Sequence, residues 1–107
     1  MRRIYHIVPR QVWEAAADGP YRAASLDGEG FIHCSNEDQV ARVADLFFAA
    51  QADLLALEID TARLGGTLRD EDVGGERFPH VYGPIPREAV VEVRPLRRGA
   101  GGRWRFP

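Results

Sequence analysis

The stretch "DLLALEID", residues 53–60, is apolar at nearly every position, so apolar side chains leave both of its faces. A strand of this kind is buried on both sides. Whatever covers it comes from a chain of 107 residues, long enough for one hydrophobic core and too short for two. A single domain over residues 1–107 is therefore expected.

The segments around this strand set the fold class. "RRIYHIV" is β-branched and aromatic and reads as a first strand ended by Pro9. "PRQVWEAAADG" predicts a short helix with Pro9 near its first turn and Gly19 just past its end, and with Val12, Trp13 and Ala16 toward the core. "PYRAASLDGEG" is expected to be an extended piece and a turn, and "FIHCS" a second strand. From Ser35 the period changes: Val40, Val43, Ala44, Phe47 and Phe48 recur at helical spacing, predicting a helix that runs to about Gln51. Ser35 stands as its N-cap, with Asp38 in the capping-box position.

"TARLGGTLRDEDVGGER" reads as a long surface loop, "FPHVYGPIP" as extended, and "PREAV" as one helical turn. "AVVEVRPL" is the last clear strand, and "RRGAGG" is a flexible link to "RWRFP", which either adds an edge strand or hangs free. Strands and helices are interspersed, with too few helices to cover both faces of a parallel sheet. The expected class is α+β.

Composition narrows the partners. With 45% hydrophobic and 28% charged residues and a net charge of -2, the chain has no basic surplus to advertise a polyanion. No nucleic-acid partner is expected. The opening "MRRIYHIVPRQ" carries only "IYHIV" before Pro9, short of the roughly 7–15 apolar residues of a signal peptide, and no run approaches the roughly 20 of a membrane span. A cytoplasmic protein without a membrane partner is expected, and the lone Cys34 agrees with a reducing compartment.

The three histidines, His6, His33 and His80, all fall in apolar extended segments. Alternation along a strand puts His33 on one face with Phe31 and Ser35, and Cys34 on the other with Ile32. Cys34 is then a core residue rather than a partner of His33. His33 and Ser35 on one face suit a ligand pocket, although a helix cap and a hydrogen-bonded core histidine would explain the pair equally well. His80 shares its face with Tyr82, whose ring can stack on a planar ligand, and His6 shares its face with Ile4 and Val8.

Without an HExxH or HxH spacing, three histidines give little support for zinc, and no metal is expected. A Ser35–His33 nucleophile lacks a neighbouring carboxylate unless Glu76 supplies one. No phosphate loop is present, and Glu37 and Asp38 in the first turn after Ser35 repel phosphate there. Any phosphate on a ligand would have to meet arginines such as Arg10, Arg22 or Arg77.

The blocks "YHIVP", "GFIHCSNEDQV", "RFPHVYGPI" and the closing "GGRWRFP" resemble a family of small bacterial proteins, the domain of unknown function numbered nine hundred and fifty-two. A glutathione S-transferase label, sometimes attached to such proteins, does not suit so short a chain. The resemblance implies the ADP-ribosyltransferase fold, with two sheet halves splayed around a nicotinamide-nucleotide cleft. It also implies NAD as a substrate and ADP-ribosyl transfer as the activity.

Carried onto this sequence, the resemblance makes His6 the first-strand residue, His33 and Ser35 the second-strand motif, and His80 to Tyr82 a further wall. His33, His80 and His6 are the expected catalytic residues; Ser35, Tyr82 and Arg22 are the expected ligand contacts. The third-strand position, where such a fold commonly carries glutamate, holds histidine in "FPHVYGP". A non-catalytic ligand-binding or regulatory module on the same fold is the competing expectation.

Overall fold

The computed structural model describes residues 1–107. In chain order its strands are β1 (Arg3–Pro9), β2 (Ile32–His33), β3 (Leu54–Asp60), β4 (Thr67–Val73), β5 (Glu76–Tyr82), β6 (Val90–Pro95), β7 (Arg97–Arg98) and β8 (Trp104–Arg105). The α-helices are α1 (Arg10–Ala15), α2 (Ala24–Glu29) and α3 (Val40–Phe47), and short 3₁₀ turns fill four connections. The class is α+β. The radius of gyration, 13.2 Å, is close to the roughly 13 Å of a 100-residue domain.

The two-faced apolar strand is β3, and it sits in the middle of a sheet ordered β1-β3-β6, antiparallel to both neighbours. Pairing of Ile4 with Ile59, His6 with Leu57 and Val8 with Leu55 gathers these side chains on one face. That face packs against Ile32, Cys34, Val81 and Ile85. The opposite face, with Tyr5, Ile7, Leu54 and Ala56, is covered by Val40 and Ala44 of α3 and by Leu96 and Trp104 near the C-terminus. Both covers consist of apolar side chains drawn from distant parts of the chain, which is where the hydrophobic stabilisation comes from.

A second sheet, ordered β2-β5-β4, turns Ile32 and Val81 toward the first. Residues 32–35 tie the two sheets together. Ile32 and His33 pair with Val81 and His80, and the Cys34 amide donates to the Pro79 carbonyl at 3.0 Å. Ser35 then leaves β5 and exchanges both backbone hydrogen bonds with Tyr5 of β1, at 2.7 and 2.8 Å. One short segment therefore serves both sheets.

The structure corrects several expected elements. Much of the expected loop over residues 61–77 is a hairpin, β4 and β5 joined by Gly74–Gly75 with φ of 63° and 88°, the positive values a two-residue primed turn requires. β4 has little apolar alternation because it is an exposed edge strand, and such strands are commonly charged. A side chain at Gly75 would touch nothing, so a substitution there acts through the backbone alone. Gly75→Val should cost about 1–3 kcal/mol in urea unfolding, and an unchanged midpoint would rule out a strained turn.

The expected turn over residues 20–30 contains α2, closed by Gly30 at φ 89°. The helix expected from Ser35 to about Gln51 opens as a 3₁₀ turn at Glu37–Gln39 and ends at Phe47. Its cap is Asn36, whose backbone amide donates to the Gln39 side chain at 2.8 Å. Ser35 is released from that role by its pairing with Tyr5. Val12 and Phe47, expected toward the core, are exposed. "RRGAGGRWRFP" folds back as the β7–β8 hairpin, with Trp104 buried.

Candidate active-site cleft

Between the two sheets, α2 and α3 lies a cavity of about 730 Å³, within the range of small-molecule sites. His6, His33, Ser35 and His80 all line it. β1 delivers His6, the joining segment delivers His33 and Ser35, and β5 delivers His80 directly opposite His33. Three histidines separated by up to 74 positions in sequence thus share one space because the register of β2 on β5 and of Ser35 on Tyr5 brings them together.

His6 is engaged from both sides. Its Nδ1 lies 2.7 Å from the His33 carbonyl, which only accepts, so Nδ1 carries the proton. Nε2 is then the acceptor, and the buried Tyr21 hydroxyl donates to it at 3.3 Å. Burial pushes the imidazole down to about 4, which keeps it neutral at physiological pH. Neither nitrogen is left for ribose, so the ligand contact expected of His6 gives way to a structural one: it latches β1 to β2 beside the cavity.

His33 and His80 are arranged differently. Their ring centroids are 5.3 Å apart, and each ring faces its own carboxylate. His80 Nδ1 lies 2.9 Å from Glu71 Oε1, and His33 Nε2 lies 2.9 Å from Glu29 Oε1. A carboxylate accepts, so each contacted nitrogen is the donor, leaving Nε2 of His80 and Nδ1 of His33 to meet a ligand. His80 is only 4% exposed and its ring stacks on Phe31 at 4.2 Å. Such a carboxylate-oriented imidazole is the unit from which general acids and bases are made.

Glu71 also accepts from the Tyr82 hydroxyl. This bond, followed by that from His80, holds the Glu71 carboxyl below the usual carboxylate range, and the same contact raises the Tyr82 phenol. The sequence reading overlooked Glu71 because it assigned the residue to a loop. The available signal was the pair of seven-residue segments flanking Gly-Gly: a hairpin register places Glu71 opposite Phe78 and diagonal to His80.

The remaining expected residues occupy other places. Tyr82 shares the His80 face but is not among the residues lining the cavity. Arg22 pairs with Asp27 on the surface at 2.6 Å and is not among the residues lining the cavity. Glu76, the alternative orienting carboxylate, accepts from Gln39 at 2.9 Å and from Arg42, which ties the hairpin tip to α3. Cys34 is buried, and burial pushes its thiol far up, out of thiolate chemistry at neutral pH.

No three His, Cys, Asp or Glu side chains converge in a way that would hold a metal ion. No helix is long and apolar enough to cross a membrane. A second groove of about 840 Å³ runs between α3 and the C-terminal hairpin and is lined by Arg42, Arg98, Arg103 and Arg105. It holds no histidine, and Arg98 there is committed to the Ala49, Gln51 and Gly102 carbonyls and to the Trp104 ring at 3.9 Å. The histidine-lined cavity is therefore the stronger candidate for chemistry.

Solved structures of protein CC0527 from Caulobacter crescentus share the whole fold. Its crystal structure has 36% sequence identity and a TM-score of 0.84, covering 96% of this chain and 93% of that one. A double-mutant crystal form gives 35% and 0.83, covering 96% and 93%. The solution NMR structure gives 36% and 0.79, covering 96% and 91%. No protein with a curated description matches significantly. The family profile described as "Protein of unknown function (DUF952)" matches residues 7–93, and the chain belongs to that family.

Proposed function

We propose that the cleft binds a nucleotide or related small ligand and transfers a group from it by acid–base chemistry centred on His80. The reaction is the one the family resemblance implies, ADP-ribosyl transfer from NAD on an ADP-ribosyltransferase-like fold. The observation that carries this reading is the Glu71–His80 contact at 2.9 Å beside a second imidazole, His33, in a cavity of ligand size. In this scheme the bond between the ribose anomeric carbon and the nicotinamide nitrogen breaks, and nicotinamide leaves with the bonding pair. An acceptor hydroxyl or amine attacks that carbon, and its proton passes to Nε2 of His80.

Glu71 takes the part of the carboxylate that the strand position of His80 lacks. Its carboxylate accepts from Nδ1 of His80 and so orients the imidazole with Nε2 as the acceptor. His33, oriented by Glu29, hydrogen-bonds the ligand, while Ser35 lies against it in the wall. His6 contributes by fixing the two sheets relative to each other.

A second reading, a binding module without turnover, draws support from Phe31. Its ring is stacked on His80 and lies within 4.8 Å of His33 and 5.3 Å of Tyr82, centroid to centroid, so it shields the imidazole face. The two readings agree on binding and differ on release of nicotinamide.

The test is thermal unfolding with NAD, nicotinamide, ADP-ribose and nucleoside monophosphates, on the natural sequence and on His33→Ala. A ligand at about 100 times its dissociation constant should stabilise the protein by roughly 2.7 kcal/mol, and His33→Ala should reduce the shift. Absence of a shift with every compound would remove the nucleotide cleft. Binding of NAD without nicotinamide release in the presence of acceptors would leave the binding module.

A further inference from the structure

The cavity has two kinds of lining. One is the imidazoles of His33 and His80. The other is apolar and includes Leu46 and Phe47 at the end of α3 and Val73 at the tip of β4, which are 65%, 75% and 52% exposed. Single apolar residues on a surface are ordinary, but these three come from two separate elements and line the same cavity. Val43 and Phe78 line it as well.

Charge at this wall is balanced and local. Arg42 and Glu76, which both line the cavity, are paired with each other. Glu29 is engaged with His33. The charged side chains of the lining are thus paired among themselves, and the apolar side chains line the same cavity as the imidazoles.

We infer that the ligand of this cleft is an amphipathic small molecule, with a polar head at His33 and His80 and an aromatic or aliphatic arm along Leu46, Phe47 and Val73. The inference rests on the reading of the cleft as a ligand site and adds the chemical class of what fills it. The concave shape, the volume of about 730 Å³ and the imidazoles in the same lining favour a small molecule over a second copy of the chain, whose docking calls for a broad and flatter patch. Burying the arm removes from water the three side chains that the protein alone leaves exposed.

The experiment uses the neutral fluorescent dye N-phenyl-1-naphthylamine as a probe, with the full chain and the variants Phe47→Ser, Val73→Ser and Val12→Ala. Both serine substitutions fall on exposed side chains, and circular dichroism verifies the fold of each variant. The expected result is one dye per chain, fluorescence enhancement, and affinity reduced by about fivefold or more in each serine variant. Amide resonances of Leu46, Val73 and His80 should move on titration, whereas Val12→Ala, at an exposed apolar side chain outside the cavity lining, should leave dye affinity unchanged.

Failure of the dye to bind, or equal affinity in the serine variants, would overturn the apolar arm. If a nucleotide still stabilises the natural chain and Phe47→Ser alike, the ligand cleft survives and only the arm is lost. If neither dye nor nucleotide binds, both readings fall. A concentration-dependent dimer in sedimentation that Phe47→Ser dissolves would replace the small molecule with a second copy of this chain.

Discussion

Between pH 6.5 and about 4 the folded protein should lose about 3 kcal/mol of stability through one side chain, His6. The folded-state value is lowered from the ordinary 6.5 to about 4, chiefly by burial. In that window the unfolded chain binds a proton at this position that the folded chain does not, so stability falls as pH falls and levels off once both states are protonated. A gap of this size at about 1.4 kcal/mol per pH unit sets the magnitude. His6→Asn keeps a donor for the His33 carbonyl, loses the acceptor for Tyr21 and does not titrate.

That variant should be less stable at pH 7 by about 1–3 kcal/mol, since the buried Tyr21 hydroxyl loses its partner. Its stability difference from the natural protein should then shrink as the pH is lowered. Urea unfolding of both proteins at several pH values between 7 and 4 measures this, and carboxylates such as Asp70 and Glu76, which titrate in both, cancel in the difference. A difference that stays constant with pH would mean that His6 is not a buried neutral imidazole.

Loss of Glu71 should be felt first in the tautomer of His80. With the carboxylate present, Nδ1 of His80 carries the proton. In Glu71→Leu the Nε2–H tautomer, favoured by imidazole free in water, should gain population, which ¹⁵N chemical shifts report directly. A natural protein already in the Nε2–H form would sink the assignment of His80 as an oriented base. On the proposed reaction, His80→Ala should lower turnover by about 10²–10⁴-fold while ligand binding is largely kept, and Glu71→Leu should act in the same direction. Equal loss of binding and turnover would instead mark His80 as a binding residue.

The elements that were legible in the sequence share one property: their apolar pattern was set by the core they enter. β1, β3 and the start of α3 are buried through Ile4, Leu57, Val40 and their neighbours, and burial imposes a readable period. β4 and α2 were illegible for the opposite reason. Exposed "TLRDEDV" has no core-facing period, and "ASLDGE" has only Leu26 to bring to the core. Phe47 is ambiguous in a third way, since a helical pattern does not distinguish a side chain that packs on the core from one that lines an open cleft.

The sequence alone determined that the fold is built on a strand apolar on both faces, that Cys34 is a core residue, and that three histidines sit on strands. These follow from the two-residue repeat and from the cost of exposing apolar area, both local properties of the chain. Only the tertiary structure decided what each histidine does. The same side chain is a neutral latch at position 6, an open imidazole against Glu29 at position 33 and a shielded one against Glu71 at position 80. Hydrogen-bond partners and desolvation define an imidazole's role, and both are supplied here by segments distant in sequence: the His33 carbonyl and Tyr21 for His6, and the neighbouring strand for His80.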